Sequence, residues 1–482
     1  MSEPKRQHPV AAISMVMDTI KENLIPFVVI VILGGRADDT QTYYTIGAIL
    51  LIVALLVSGI ISWLRYTYRI EDGELKIEYG VFVRKRHFVQ KDRIQVIDIS
   101  AGIIQRLFGL VSVEVQTAGE TSAESTISAV THDEADRIKS LLSNNGTDEE
   151  AGVVEPKSEL HLKKKDLLIA ASTAGSFGIA LSIIGTLTSQ MNQFISDTEI
   201  YNYLENLEIP GTSFAIMIIA VMVVLAWLLS LFGTIIKHSG FSLARRKDEL
   251  IISRGLFERT QLTIPYHRIQ AVRIVEGILR QPFGYATVYV DSAGYGDEAG
   301  TSTILFPLIK KSDLRDFIRQ NLPDYEIGAT SVTPPLRAIR RYLIRTIVPA
   351  LVLIIPVSII FNYGYISVIL LPLAIWLGIK RYRDAGAGYA KETFILRYRN
   401  LAKTTAIVRK KCIQAASTQS IYFQRRINLL NFIITVASGK AGAAFSVKEL
   451  DQDVGNNLFS RVSSKNFDGS IADKEENILP GW

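Results

Sequence analysis

Charge-free apolar runs alternate along this chain with long stretches of patterned polar sequence. YTIGAILLIVALLVSGIISWL (44–64), LLIAASTAGSFGIALSIIGTLT (167–188) and SFAIMIIAVMVVLAWLLSLFGTII (213–236) contain no charged residue. A helix rises about 1.5 Å per residue and the hydrocarbon layer is about 30 Å thick, so each run is long enough to cross a membrane. LIRTIVPALVLIIPVSIIF (343–361) and GYISVILLPLAIWLGIK (364–380) nearly abut and predict a helical hairpin. The shorter LIPFVVIVILG (24–34) is expected to complete a sixth span if 11–23 continue its helix, the alternative being an interfacial or re-entrant segment. Asp18 and Glu22 precede it and no small-residue cleavage site follows, so no cleaved leader is expected.

The polar stretches repeat. At a constant offset of 175 residues, Glu74, Leu75, Ile77, Gly80, Phe82 and Arg84 match Glu249, Leu250, Ile252, Gly255, Phe257 and Arg259. The match continues through Arg93-Ile94-Gln95 and Arg268-Ile269-Gln270, Gly102-Ile103 and Gly277-Ile278, and Phe108-Gly109 and Phe283-Gly284. A gapless match of this length marks a duplication. A third copy runs through 389–439, with KKCIQ (410–414) replacing the Arg-Ile-Gln phrase. Alternation in ELKIEY puts Leu75, Ile77 and Tyr79 on one strand face, Gly80 supplies a turn, and VFVRKRHFV returns. GIIQRLFG predicts a helical turn closed by glycine, before a strand in LVSVEV. Amphipathic helices are expected at 131–144, 312–322 and 446–462, with Thr131 and Ser312 as N-caps. Phe82 and Phe257 are expected in the core.

This order predicts a multi-domain membrane protein: three transmembrane hairpins, each followed by a module of antiparallel sheet and C-terminal helix. The expected boundaries are hairpins at 10–64, 167–236 and 343–380, modules at 65–144, 237–325 and 381–462, linkers at 145–166 and 326–342, and a disordered tail at 463–482. The connector 189–212 has no Lys or Arg and carries Asp197, Glu199, Glu205 and Glu208, whereas Arg65, Arg69, 163–165, Lys237, 337–345 and 380–383 supply basic flanks. Basic residues near spans are retained inside, so the modules and both termini are expected in the cytoplasm.

A bent antiparallel sheet closed by one C-terminal helix is the plan of a pleckstrin-homology (PH) barrel. With the G-x-F, R-I-Q, G-I and F-G frame, the chain resembles the bacterial PH-domain (bPH2) membrane proteins of the YdbT type, up to about Val462. The third copy departs most, lacking the module-opening glycine and the Phe-Gly pair. The resemblance implies a membrane-embedded, non-enzymatic role in envelope stress or antimicrobial-peptide resistance. It supplies no catalytic residues.

Composition narrows the chemistry. Among 482 residues 48% are hydrophobic, and the single cysteine, Cys412, excludes an intramolecular disulfide framework and a cysteine zinc cluster. The six histidines lack metal-ligand spacing, no phosphate loop or nucleophile elbow occurs, and no cofactor or nucleic acid is expected. Residues 65–130 carry nine basic and nine acidic side chains, and 237–305 nine and seven, but 380–448 carry fourteen and two. Arg397, Arg399, Arg409, Lys410, Lys411, Arg425 and Arg426 dominate this third module and are the expected contacts to an anionic inner leaflet, where each basic side chain contributes about 1 kcal/mol. Arg93, Gln95, Arg268 and Gln270 are the polar positions shared by the first two copies, expected either as ligand contacts or as the outward side of a strand. The expected function is a membrane scaffold that organises anionic lipid, or a second PH-module membrane protein. The alternative is a transporter or a subunit of an export complex, with Pro349, Pro356 and Pro372 breaking helices around a site.

Overall fold

A computed structural model describes residues 4–22, 41–71, 73–80, 83–117, 125–142, 158–173, 178, 182, 211–246, 248–293, 302–328, 332–360, 364–390, 392–438 and 442–463. Two compact units result, Met1–His161 with Ile236–Ile264, and Leu162–Ile235 with Pro265–Trp482. The apolar run 24–34, most of 167–188, residues 189–210 of the connector, Phe82 and the tail from 464 lie outside the described residues.

In the first unit, α1 (Ala11–Glu22) packs against α2 (Gln41–Arg65), which contains the whole first charge-free run. A Cβ at Gly59 would stand 2.4 Å from Cγ2 of Val16, so glycine permits this close crossing. Strands β1 (Lys5–Arg6), β2 (Thr67–Glu71), β3 (Glu74–Tyr79) and β4 (Lys85–Gln90) form an antiparallel sheet in that order. A 3₁₀ turn at Lys91–Arg93 then hands the chain to β5 (Ile94–Ala101). There follow α3 (Ile103–Leu107), β6 (Leu110–Thr117), β7 (Ser125–Thr131), α4 (His132–Leu142) and β8 (Ser158–His161), and later β9 (Ser242–Arg245), β10 (Glu249–Arg254) and β11 (Arg259–Pro265). The alternation of apolar residues sets the core: Leu75, Ile77 and Val89 of the first sheet meet Ile97, Val113, Val115 and Ile127 of the second. Ala135, Ile138 and Leu142, on one stripe of α4, close it. Each fully buried Ile or Leu contributes about 1.5–3 kcal/mol.

The second sheet has the order β7-β6-β5-β11-β10-β9-β8. Its two halves come from successive repeats, joined where β5 pairs antiparallel with β11.

The second unit contains α5 (Lys164–Ser172) and α6 (Gly211–His238), then β12 (Ile269–Glu276), β13 (Tyr285–Ser292), β14 (Thr303–Lys310) and α7 (Lys311–Asn321). After α8 (Ile339–Ile360) and α9 (Leu370–Asp384) come β15 (Gly386–Ala390), β16 (Thr393–Arg399), β17 (Lys403–Arg409), β18 (Ile413–Gln419), α10 (Tyr422–Arg425), β19 (Leu429–Val436), β20 (Ala443–Asp451) and α11 (Gln452–Ser463). The strands order as β14-β13-β12-β17-β16-β15 and β18-β19-β20, so the repeats again share a sheet, now through β12 and β17. Phe394, Leu396, Ala406 and Val408 pack against Phe432, Ile434, Phe445 and Val447 in the third module, beneath Leu458 of α11.

The described strands do not close into a barrel. The half-sheets β5-β6-β7 and β12-β13-β14 would each end in an edge of unpaired N–H and C=O groups, and the next repeat supplies the missing strand. The helix expected over 446–462 begins only at Gln452; its first part is β20, whose alternation buries Phe445 and Val447. Ser312 does not cap α7, which starts at Lys311 after Lys310, whereas Thr131 Oγ1 accepts from the Glu134 N–H at 3.4 Å. Phe257 is 50% exposed rather than core. Helix α8 continues through Pro349 and Pro356, and Ile219–His238, Leu336–Ile360 and Gly364–Asp384 are long and apolar enough to cross a membrane.

The third copy's lost Phe-Gly pair is a mild departure. Gly109 and Gly284 both adopt φ 67°, and Asn428 takes their place at φ 50°. Asparagine is the residue after glycine best suited to that left-handed region.

Candidate functional site

The N-terminal end of α8 and the C-terminal end of α9 carry a dense charge cluster against the third module. Arg341 and Arg345 stand four residues apart on one face of α8 and both reach Glu449, at 2.9 and 2.7 Å. Glu449 is fully buried and sits at φ 57° in an irregular part of β20, where its N–H donates to Oδ1 of Asn431 at 3.1 Å. The left-handed kink aims the carboxylate back at the helix.

Beside this pair opens a cavity of about 260 Å³, lined by Tyr342, Arg345, Arg381, Tyr398, Arg399 and Lys448 among others. Arg399 is committed elsewhere: it pairs with Asp384 and donates to the Leu401 carbonyl at 2.9 Å and to Gln281 Oε1 at 2.7 Å. Arg381 donates one bond, from Nε to the Asn400 carbonyl at 2.9 Å. Arg345 keeps Nη1 buried without a hydrogen-bond partner. Partial desolvation, then repulsion by Arg345 and Arg381, pushes the Lys448 ammonium below the usual lysine range, with Glu449 acting in the opposite sense. Three cations thus face one cavity against one carboxylate already shared by Arg341 and Arg345. The cluster can receive a phosphate or carboxylate group, whose negative charge would relieve the crowding.

A second feature recurs in every module. The turn after the first strand of the second half exposes apolar side chains: Leu107 (80%) and Phe108 in the first copy, Leu279 and Phe283 (70%) in the second, Tyr422 and Phe423 (64%) in the third. Within the first unit, Gln105 Nε2 donates to Ser14 Oγ of α1 at 3.0 Å, and Ile104 and Trp63, the latter near the end of α2, pack against the same cluster of Val10, Ala11, Leu110 and Ala129. Arg106 Nη1 donates to the Leu256 carbonyl at 2.5 Å, and the Leu256 N–H to the Ile236 carbonyl in the last turns of α6 at 2.9 Å. Within the second unit, Arg280 donates to the Ala170 carbonyl at 2.9 Å and to Thr173 Oγ1 at 3.0 Å, and Arg337, in the turn before α8, donates to the Asn428 carbonyl at 3.4 Å. Each turn is tied to residues at or near the end of an apolar helix. The second copy's turn is 3₁₀ rather than α, with Pro282 in its first turn.

The residues singled out in the sequence scatter. Arg399 and Arg409 are buried; Arg409 pairs with Asp324 at 2.5 Å, donates to the Ile269 carbonyl and lies 4.8 Å over the Tyr325 ring. Arg397 donates to the Asp384 carbonyl at 2.9 Å. Lys410 is half-buried, while Lys411, Arg425 and Arg426 are exposed, Arg426 lying 5.1 Å over Tyr422. Arg93 and Arg268 end the 3₁₀ turns that pass the chain between half-sheets, and Gln270 Nε2 donates to the Arg268 carbonyl at 3.2 Å. Gln95 lies in β5, and its side chain is outside the described residues. Burial pushes Arg268 below its usual range. Arg345, Arg381 and Lys448 were visible in the sequence only as two span flanks and a lysine of the helix expected over 446–462; no local spacing links them.

The family model described as bacterial PH domain matches residues 25–146, 199–323 and 343–463. The UPF0699 transmembrane protein YdbT of Bacillus subtilis (strain 168) is 35% identical over 493 aligned residues, covering 97% of this chain and all of the relative. The UPF0699 transmembrane protein YdbS of the same organism is 30% identical over 101 residues, 20% of this chain and 62% of the relative. No solved structure matches.

Proposed function

This chain belongs to the bacterial PH domain family and is a membrane protein, and on that premise we propose that it is a non-enzymatic scaffold whose cavity at Arg345, Arg381 and Lys448 seats the anionic headgroup of an inner-leaflet phospholipid. The observation that carries the proposal is the cavity's position: three cations converge where two apolar helices, long enough to cross a membrane, end, as a site for a headgroup phosphate would require. The exposed apolar turns support it, since Leu107, Phe283 and Phe423 are tied near helix ends and suit the acyl boundary. In this reading the apolar helices pair as hairpins, the modules and termini face the cytoplasm, and Lys411, Arg425 and Arg426 add a diffuse attraction to the leaflet. A scaffold held against the leaflet in this way fits the envelope-stress or peptide-resistance role that the resemblance implies.

The test uses the full chain in nanodiscs of neutral lipid, titrated with short-chain phosphatidylglycerol, phosphatidylcholine or inorganic phosphate over a salt series. Saturable binding of the phosphatidylglycerol alone, weakened by Lys448→Gln, supports the proposal. Equal binding of phosphatidylcholine, or no effect of Lys448→Gln, refutes it. Binding of inorganic phosphate alone reassigns the cavity to a soluble anion.

A further inference from the structure

We propose that the chain assembles head to tail with a second copy of itself, β18 of one molecule pairing antiparallel with β4 of the next. The motivation is a rule that the fold obeys twice. The first strand of each module's second half pairs with the last hairpin strand of the following module, β5 with β11 and β12 with β17. Among the described strands the same rule leaves one strand of each kind at a sheet edge: β4 of the first module and β18 of the third.

The two inner junctions share one register. Thr260 pairs with Ser100, and Thr404 with Val275. Thr260 and Thr404 each stand nine residues before the isoleucine that opens the next strand, Ile269 or Ile413. Ser100 and Val275 each stand six residues after the corresponding isoleucine, Ile94 or Ile269. Applied to the outer edges, the same register sets Arg86 opposite Thr418, His87 opposite Ser417 and Phe88 opposite Ala416.

The side chains at those edges fit such a partner. Phe88 is 58% exposed, whereas the residues at its position in the other copies, Thr263 and Ile407, are buried by the neighbouring strand. It would cover Ala416, a small residue, where the inner junction sets Ile407 against Val272. Exposed edges are ordinarily guarded by charge, proline or a bulge. IQAASTQ in β18 has neither charge nor proline, and its irregularity after Ile413 occurs equally in β5 and β12, which pair regardless. On β4 the charge of Arg86 is met by Glu78 at 3.3 Å. The helix α11 over the sheet is no obstacle, because α4 packs on the equivalent sheet of the first module while β5 takes its partner.

The occupant is a second copy because a second copy carries both complementary edges, so one contact type satisfies β4 and β18 alike. The contact is heterologous, generating a ring or a row in the membrane plane.

The test co-expresses two differently tagged full-length chains, both with Cys412→Ser, one carrying Phe88→Cys and the other Ala416→Cys, and oxidises the membranes. A disulfide-linked product bearing both tags is expected, and likewise for His87→Cys with Ser417→Cys. Phe88→Cys with Gln419→Cys, three residues out of register and about 10 Å away, should give far less. Since a cysteine variant can fail to fold, chains without the edge substitutions but with two tags are also co-purified from native membranes, and one tag should bring down the other. No two-tag product together with no co-purification overturns the proposal. So does equal yield out of register, or a product in which a different protein replaces the second copy.

Discussion

Glu449, fully buried on β20, accepts the Nε–H of Arg341 from α8 at 2.9 Å, and this bond ties the third module to a helix long and apolar enough to cross a membrane. Replacing Glu449 with Gln removes the anion shared by Arg341 and Arg345. Breaking one side of a buried pair costs about 3 kcal/mol, so the thermal midpoint of the chain in nanodiscs should fall. The cavity meanwhile gains a net positive charge, and its affinity for an anionic headgroup should rise by about fivefold, the equivalent of about 1 kcal/mol. Stability and binding that fell together would contradict this assignment of charge.

Lys448 gives the site a pH signature. Its folded value is lowered from the ordinary 10.5 by partial desolvation and by Arg345 and Arg381. Between the lowered value and 10.5 the unfolded chain binds more protons than the folded one, so this group makes stability rise with pH in that window. Anionic-lipid binding should move the other way, declining as pH rises through the lowered value. Lys448→Gln should flatten both profiles, as read by thermal melts and lipid titrations in the alkaline range.

The exposed turns predict depth. Tryptophan placed at Leu107, Phe283 or Phe423, one at a time, should be quenched by lipids brominated near the headgroup. Tryptophan at exposed Asp136 of α4 should not be quenched. Because these side chains are largely exposed, each substitution should change stability by under about 0.5 kcal/mol.

Backbone conformation yields a prediction across all three modules. Gly109→Ala and Gly284→Ala force a Cβ into φ 67° and should each cost about 1 kcal/mol, whereas Asn428→Gly should be neutral or slightly stabilising. Gly255→Ala should be worse, since its Cβ would lie 1.8 Å from the Glu258 carbonyl oxygen. Denaturant or thermal melts of the four variants rank them.

The repeat, the strands and the long apolar helices were legible because period and hydropathy write them directly. Leu75 and Ile77 alternate into the core as expected, and the R-I-Q phrase marks the 3₁₀ turn at Lys91–Arg93 and again at Tyr266–Arg268. Strand sharing was not legible. Alternation shows which face of β5 or β12 is buried but not which strand lies alongside, so a closed barrel and a chain of linked half-sheets read alike. Phe257 matched the core pattern by residue type, yet it sits at a hairpin tip beside Leu256, whose N–H bonds the Ile236 carbonyl at the end of α6. The basic count of the third module was correct and misleading at once. Arg399 and Arg409 are consumed by Asp384 and Asp324, while the cavity's cations come from residues 36 to 103 positions apart, brought together only by packing.

Native mass spectrometry of the full chain released from its own membranes tests the central claim most directly. The account predicts that anionic phospholipid is retained in preference to neutral phospholipid, and that Arg381→Gln with Lys448→Gln abolishes the preference while the chain stays folded. Equal retention of anionic and neutral lipid by the unaltered chain, or a preference untouched by the double substitution, would contradict it.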